Sequence, residues 1–356
     1  MTVHAANKQL LARFLAELAD AEPDEIESVL SAHCDPSCVW QIFHPFNRID
    51  GAADAASRFW KPLKEAFPDH EHRIAFVIAG EYEGRDQVSS WGHVFGNFEQ
   101  PWLGIPPTWG TITLRMGINA IVADGRFTKV YILLDIIDVM LQAGFYPLRR
   151  MPGSSGQWAF PPCDTGANAC QIDPEHGAKS LAIVREMQIG LPPPNSNFTP
   201  EESRARHSPH WHEDMNWYGP AGIGSSRGLR GFRDYHGALF LKAFPDRSGI
   251  VRNGGVAEDA PGHYVRLGDG RYAVTGGNPS LTATHTGSQW LGLPPTGRKV
   301  EMRVADWYRL DENDKIIDNW VMIDVPHILD QMGLDIFDDL QYFADPSKPR
   351  ARARGD

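Results

Sequence analysis

Three side chains in the second half of the chain could move protons: Asp324, His285 and Asp306. Asp324 ends a run in which Asp318, Trp320, Met322 and Asp324 alternate, so on a strand Trp320 and Asp324 share a face. A carboxylate beside an aromatic wall loses water, its pKa rises, and it becomes suited to taking a proton from carbon next to a carbonyl. The plainer reading makes Asp324 the N-cap of a helix that opens at Pro326, His327 and Ile328. His285, between Thr284 and Thr286 on an expected strand, could shuttle a proton near neutral pH or simply be bonded within the sheet. Asp306 could orient His285 or pair with Arg303 or Arg309; the preferred reading is a salt bridge on the outer sheet face.

Trp217, Tyr218, His236, Trp290 and Trp320 are candidates for lining a pocket around a planar ligand, with Trp217 and Trp290 preferred. Core packing would use the same aromatic residues. His327 could approach the mouth of such a pocket. His207, His210 and His212 crowd one loop as zinc ligands can, but no fourth ligand is recognisable, so no metal is expected. No phosphate loop is present, and the lone Gly222-Ile223-Gly224 does not make a dinucleotide site.

The elements that would position these groups occur twice. Trp102-Leu103-Gly104-Ile105-Pro106-Pro107-Thr108 returns as Trp290-Leu291-Gly292-Leu293-Pro294-Pro295-Thr296, with six of seven positions identical. Ala66-Phe67-Pro68-Asp69 returns as Ala243-Phe244-Pro245-Asp246. Asp135, Gln142 and Gly144 are matched by Asp324, Gln331 and Gly333 at an offset of 189, whereas the Ala-Phe-Pro-Asp offset is 177. The second copy therefore holds a dozen extra residues, expected as a longer hairpin in the glycine-dense stretch from Gly249 to Gly277.

Within each copy, helices precede a long antiparallel meander, which predicts an α+β domain. In the first, helices are expected around Leu10–Leu18 and over Ala53–Phe67, with strands at Val39–Phe43, Ile74–Ala79, Val88–Phe98, Thr111–Val122 and Phe127–Asp135. In the second, helices are expected over Ala178–Ile189 and Gly231–Phe244. Strands there are expected at Glu213–Tyr218, Tyr272–Val274, Ser280–Thr286, Lys299–Leu310 and Ile316–Asp324. The organisation expected is a domain over 1–148, a linker over 149–177, a domain over 178–345 and a polar tail over 346–356.

In the first copy Asp135 keeps the carboxylate position, but the place of His285 falls on Val94, with His93 one residue away and so on the other face. Tyr131 stands where the second copy has Trp320. His44, Trp40, His93 and Asp138 could build a different, second site there with Asp135.

The length of 356 residues suits two domains rather than one core. A net charge of -11 argues against general phosphate-backbone binding. No apolar run approaches a membrane span, and the amphipathic start does not read as a signal peptide. The four cysteines, Cys34, Cys38, Cys163 and Cys170, fit neither a zinc nor a redox pattern, so a reduced cytoplasmic protein is expected. The terminal Arg354-Gly355-Asp356 is read as a chance tripeptide.

The second copy resembles the SnoaL-like polyketide cyclase family, of the NTF2-like superfamily. The likeness rests on Asn216-Trp217-Tyr218-Gly219-Pro220, Arg227-Gly228, Ala243-Phe244-Pro245-Asp246 and Thr284-His285-Thr286-Gly287. It continues through Gly292-Leu293-Pro294-Pro295-Thr296-Gly297, Lys315-Ile316, Trp320, Asp324, Gln331 and Gly333. The first copy matches more loosely. The resemblance implies two NTF2-like (cystatin-like) cones, each a curved antiparallel sheet wrapped around helices and enclosing an apolar cavity. It also implies cofactor-independent acid/base chemistry, with Asp324 in the place of the family's catalytic carboxylate. The expected reaction is aldol or retro-aldol addition, cyclisation, isomerisation or dehydration of a small apolar or aromatic carbonyl compound. A non-catalytic binder of hydrophobic small molecules, or a hydrolase using the same carboxylate, remains open, because fold does not fix reaction. The two cones are expected to dock as an intrachain pseudo-dimer, with a homodimer open; neither nucleic acid nor membrane is an expected partner.

Overall fold

The computed structural model describes residues 2–156, 158, 173–196, 199–253, 256–338 and 340. Cys163, Cys170, the tail 346–356 and most of the expected linker lie outside them. The chain divides into two units: 1–147, 160–172 and 335–356 form the first, while 148–159 and 173–334 form the second. The boundaries differ from the expected ones in two places. Residues 149–156 pair with the second unit, Gly153 N donating to Ile223 O at 2.8 Å and Ser154 and Ser225 exchanging two bonds. Asp335 onward groups with the first unit, where the Phe337 ring lies 5.7 Å from His44.

In the first unit, α1 (Val3–Asp20) is capped by Thr2, whose side chain accepts from Ala5 N, and buries Leu10, Leu11, Phe14, Leu15 and Leu18. Next come α2 (Ile26–His33), β1 (Cys34–Ile42) and β2 (Asn47–Asp50). A second helical stretch joins α3 (Ala52–Ala55), a π-helical turn (Ala56–Trp60) and α4 (Lys61–Ala66). It leads into β3 (Glu71–Tyr82), β4 (Arg85–Asn97), β5 (Thr111–Ala123), β6 (Arg126–Leu134) and α5 (Ile136–Gln142). The six-stranded sheet runs β2-β1-β6-β5-β4-β3, antiparallel except for the parallel pair β1 and β6.

The second unit opens with α6 (Pro174–Ile189), capped by Asp173, then α7 (Pro200–His207), β7 (Trp211–Tyr218) and β8 (Ser226–Arg227). A helical stretch again joins α8 (Gly228–Phe232), a π-helical turn (Arg233–Gly237) and α9 (Ala238–Ala243). The hairpin β9 (Ile250–Asn253) and β10 (Val256–Asp259) follows. The main strands are β11 (His263–Asp269), β12 (Tyr272–Thr284), β13 (Lys299–Leu310) and β14 (Ile316–Ile323), and α10 (Val325–Gln331) closes the unit. The sheet order β11-β12-β13-β14-β7-β8 reproduces the first, with β14 and β7 as the parallel pair. Each unit is therefore an α+β cone, a six-stranded mixed sheet with helices. The glycine-dense stretch holds the extra hairpin and also β11, which pairs along β12. The two short strands expected at 272–274 and 280–286 are one strand, β12, whose register shifts between Gly277 and Leu281.

The repeated motifs hold the cones together. Asp246 accepts from Thr284 N at 2.7 Å and Thr284 Oγ1 at 2.6 Å; Asp69 accepts likewise from Asn97 N and Nδ2, both at 2.7 Å. In each Trp-Leu-Gly turn the tryptophan and the residue three further on exchange backbone bonds, Trp102 with Ile105 and Trp290 with Leu293. Gly287 brings the end of β12 against α9: a Cβ there would stand 1.7 Å from Lys242 O. Gly287→Ala is expected to cost about 3 kcal/mol or more, because backbone must move. Urea denaturation checks it; an unchanged midpoint contradicts the close approach.

No helix among the described residues is long and apolar enough to cross a membrane. Cys34 and Cys38 are buried free thiols on β1, and the hydrogen bond with Cys38 and then burial push the Cys34 thiol up.

Candidate active site

Strand alternation sorts the candidates of the second unit onto two faces. On β13, Asp306 and Tyr308 point one way, and Arg303, Ala305, Trp307 and Arg309 the other. Cross-strand neighbours extend the first face: Thr275 opposite Asp306, and Asn319 opposite Tyr308. Across the parallel pair Asn319 neighbours Trp217. Gln188 of α6 reaches this face, donating from Nε2 to Thr275 Oγ1 at 2.8 Å and to Tyr308 Oη at 3.4 Å. The face carrying Asp306 is thus the one the helices cover, the inside of the cone.

The polar groups there have a fixed direction. Arg185, which can only donate, gives Nη1 to Gln188 Oε1 at 2.9 Å. That turns the Gln188 amide NH₂ toward Thr275 and Tyr308. Tyr308 and Asn319 in turn hydrogen-bond the Asp306 carboxylate. His263 Nε2 lies 2.8 Å from Ser280 O, a carbonyl that only accepts, which places the proton on Nε2. Nδ1 is then an acceptor toward Arg266 Nη2 at 3.5 Å. Burial pushes the His263 pKa down.

Asp306 is the electrostatic focus. Burial raises its pKa from the usual carboxylate value to about 7, against the smaller opposing effects of Asn319, Tyr308 and His263. It therefore takes and releases a proton near neutral pH. The expected outer-face salt bridge with Arg303 or Arg309 is not what the structure has: those arginines point to the other face, and Arg309 pairs with Asp318. Nor does Asp306 orient His285, whose partners are in its own loop. Aromatic rings wall the cone: Trp211 lies 6.3 Å from Tyr308, and Phe232 contacts both Trp211 and Trp217. His236 stacks on Trp217 at 4.1 Å, and burial lowers its pKa to about 3, so it is uncharged at neutral pH.

Asp324 is fully buried on the reverse face, the N-cap of α10. It accepts from His327 N at 3.2 Å and from Arg303 Nη1 at 3.3 Å. His327 is held there too, 3.2 Å from Arg303 Nη2. Trp320 shares that face with Asp324 as expected, and Tyr218 stacks on it at 5.3 Å, its hydroxyl donating to Asp318 Oδ1. Tyr218 and Trp320 are therefore separated from Asp306 by the thickness of the sheet. His285 is also fully buried. Its Nε2 meets Ser288 O at 3.0 Å, its Nδ1 meets Thr296 N and Oγ1 at 3.4 and 3.3 Å, and its ring rests on Phe244. It ties the 285–298 loop to itself. Trp290 contacts Phe244 in the same corner. His207 lies against Phe232, and His212 Nδ1 accepts from Asp214 N. Among the described residues no three metal-capable side chains converge.

In the first unit the reverse face has the same lock. Arg115 donates to Asp135 at 2.8 Å and pairs with Asp138 at 3.2 Å. Burial raises Asp138 to about 7, while burial and then the Arg115 guanidinium push His93, directly across the strand, down to about 3. Asp135, His93 and Asp138 are brought together; Trp40 is on the helix side against Phe14 and Trp60, and His44 is near Phe337.

Counting from the arginine of each lock shows where the cones part. Three and five residues on, the second unit has Asp306 and Tyr308 where the first has Ile118 and Ala120. The partner of Tyr308 is Asn319, and that of Ala120 is Val130. The two π-helical turns, Ala56–Trp60 and Arg233–Gly237, coincide at the 177 offset, which sets Trp60 against Gly237. Trp60 fills the first cone with Phe14, Trp40 and Phe59, whereas Gly237 contributes no side chain and has the Phe232 ring 3.6 Å from where its Cβ would be.

Residues 278–332 match the family model of the SnoaL-like polyketide cyclases. Among solved structures the chain is similar to AclR from Streptomyces galilaeus, at 18% identity over 40% of this chain and 97% of that one, with a TM-score of 0.34. It is also similar to IdmH from Streptomyces antibioticus, at 19% identity over 37% of this chain and 97% of that one, with a TM-score of 0.32. A third is TsrD from Streptomyces laurentii, at 17% identity over 41% and 99%, with a TM-score of 0.34. No curated protein matches the chain.

Proposed function

We propose that this chain, a SnoaL-like protein by residues 278–332, is an acid/base enzyme whose second cone moves a proton at carbon, with Asp306 as the base. The observation that carries the reading is the directed run Arg185, Gln188, Tyr308, Asp306 inside the cone. It fixes the carboxylate in place while leaving it able to change charge near pH 7. In the ionised state Asp306 takes a proton from carbon next to a carbonyl, and the C–H electron pair moves to the carbonyl oxygen. The Arg266 guanidinium, on the strand edge of the same face, offsets the developing enolate charge. Protonated Asp306 then returns the proton to carbon for isomerisation, or to a leaving oxygen for dehydration; in retro-aldol cleavage the carboxylate instead takes the β-hydroxyl proton as the Cα–Cβ bond breaks, and returns it to the α-carbon of the enolate released. Trp211, Trp217 and Phe232 give the substrate a flat apolar wall. Asp324 acts through structure, as cap and ion-pair partner.

The test is solvent exchange. Aromatic and polyketide-like ketones and β-hydroxy carbonyl compounds are incubated with the protein in heavy water and followed by mass spectrometry. Deuterium uptake that Asp306→Asn removes supports the reading. Binding without uptake by the wild type would leave a ligand-binding protein instead.

A further inference from the structure

The second unit carries a cleft of about 500 Å³ at its rim, within the range of small-molecule sites. Asp306 is not among its lining residues; His236 is, and its ring stacks on Trp217 of the cone wall. Four stretches build it: the π-helical turn with the start of α9, residues 289–294, residues 149–152, and Ile223.

Its chemistry is uneven in a way that selects a ligand. Part of the lining is apolar and open to water, with Tyr235 49% and Leu239 36% exposed; the nearly buried Leu291 and Trp290 add apolar surface. Exposed large apolar side chains gathered at one hollow mark a binding surface. The cleft also holds two guanidinium groups, Arg149 and Arg150, and among the described residues no acidic side chain lines it. Both arginines are exposed, and among the described residues neither has a carboxylate partner.

The turn is shaped to carry one of them. Gly292, at φ +93, leaves room in which the Cβ, Cγ and Cδ of Arg149 come within 3.1–3.3 Å of where its own Cβ would be. Gly104, its counterpart in the first unit, has nothing within 4 Å. The repeated glycine thus serves the turn in both units, and in the second it also seats the arginine stem.

We propose that this cleft binds an amphipathic organic oxyanion, a planar apolar body ending in a carboxylate or phosphate. Trp290, Leu291 and Leu239 hold the body, and Arg149 and Arg150 hold the oxyanion, which their planar donor forks suit. The arginines come from the stretch between the two repeats, so the site belongs to the fused chain rather than to a lone cone.

Binding is read directly, by calorimetry on the full chain, and so does not depend on the Asp306 reading. The probes are 2-naphthoate, 2-naphthyl phosphate, uncharged 2-naphthylmethanol and inorganic phosphate. At least one naphthyl anion is expected to bind about tenfold or more tightly than the alcohol, and less well as salt is raised; the tighter of the two names the oxyanion. Arg149→Met with Arg150→Met keeps the stems and removes the charges, and is expected to erase that advantage. Leu239→Ser is expected to weaken anion and alcohol alike. Equal affinity for anion and alcohol, unchanged affinity in the double methionine variant, inorganic phosphate binding as tightly as naphthyl phosphate, or no binding of either anion at millimolar concentration would each overturn the proposal.

Discussion

Asp306→Asn is expected to lower carbon-acid exchange about 10²–10⁴-fold, the range for loss of a positioned general base, and to make the protein more stable above neutral pH. The wild-type rate should rise with pH and level off above about 7, where Asp306 is ionised. The stability gain follows from the same pKa. In the folded state Asp306 titrates at about 7, and in the unfolded chain at its ordinary lower value. Between those values the folded state holds the extra proton, so rising pH favours unfolding, by up to about 4 kcal/mol once both states are ionised. Asparagine resembles the protonated acid and does not titrate. The variant's advantage should therefore grow from pH 5 to pH 8 in urea denaturation. Equal midpoint differences at the two pH values would show that Asp306 is not held in a site that resists its charge. Loss of activity with gained stability is the signature of a group kept for chemistry at the fold's expense.

Arg303→Met should do the reverse. It leaves Asp324 fully buried without its guanidinium and is expected to cost about 3–5 kcal/mol. Asp324→Asn retains an oxygen that can accept from His327 N, so it should cost less, and the double variant should recover part of the arginine loss. Exchange per folded molecule should stay close to wild type in all three. If Asp324→Asn abolished exchange while leaving the urea midpoint unchanged, the base would be Asp324 and the reading of Asp306 would fall.

The amino-acid sequence by itself determined the repeated motifs, the longer helices and most of the long strands, and the turns that join them. The Ala-Phe-Pro-Asp and Trp-Leu-Gly segments are legible because they close local hydrogen bonds, Asp246 with Thr284 and Trp290 with Leu293, that each cone requires of those residue types. Asp324 before Val325-Pro326 was readable as a cap for the same reason. Which sheet face looks into the cone was decided only by the tertiary structure. Alternation pairs Asp324 with Trp320 correctly but does not say which side the helices cover, and α6 covers the side of Asp306. His285 has the residue type of a proton shuttle, and only the fold of its loop shows both ring nitrogens already engaged. The polar run to Asp306 joins residues from α6, β12, β13 and β14, far apart in sequence, and β11 with His263 lay hidden in a glycine-dense stretch. One signal was available in advance. Aligned on their arginine–aspartate locks, the repeats differ at Asp306 against Ile118 and Tyr308 against Ala120, where one cone tolerates polar groups and the other is packed with apolar ones. What repeats is what any cone needs in order to fold, because packing and backbone bonding impose the same demands twice; a reactive group need be placed only once.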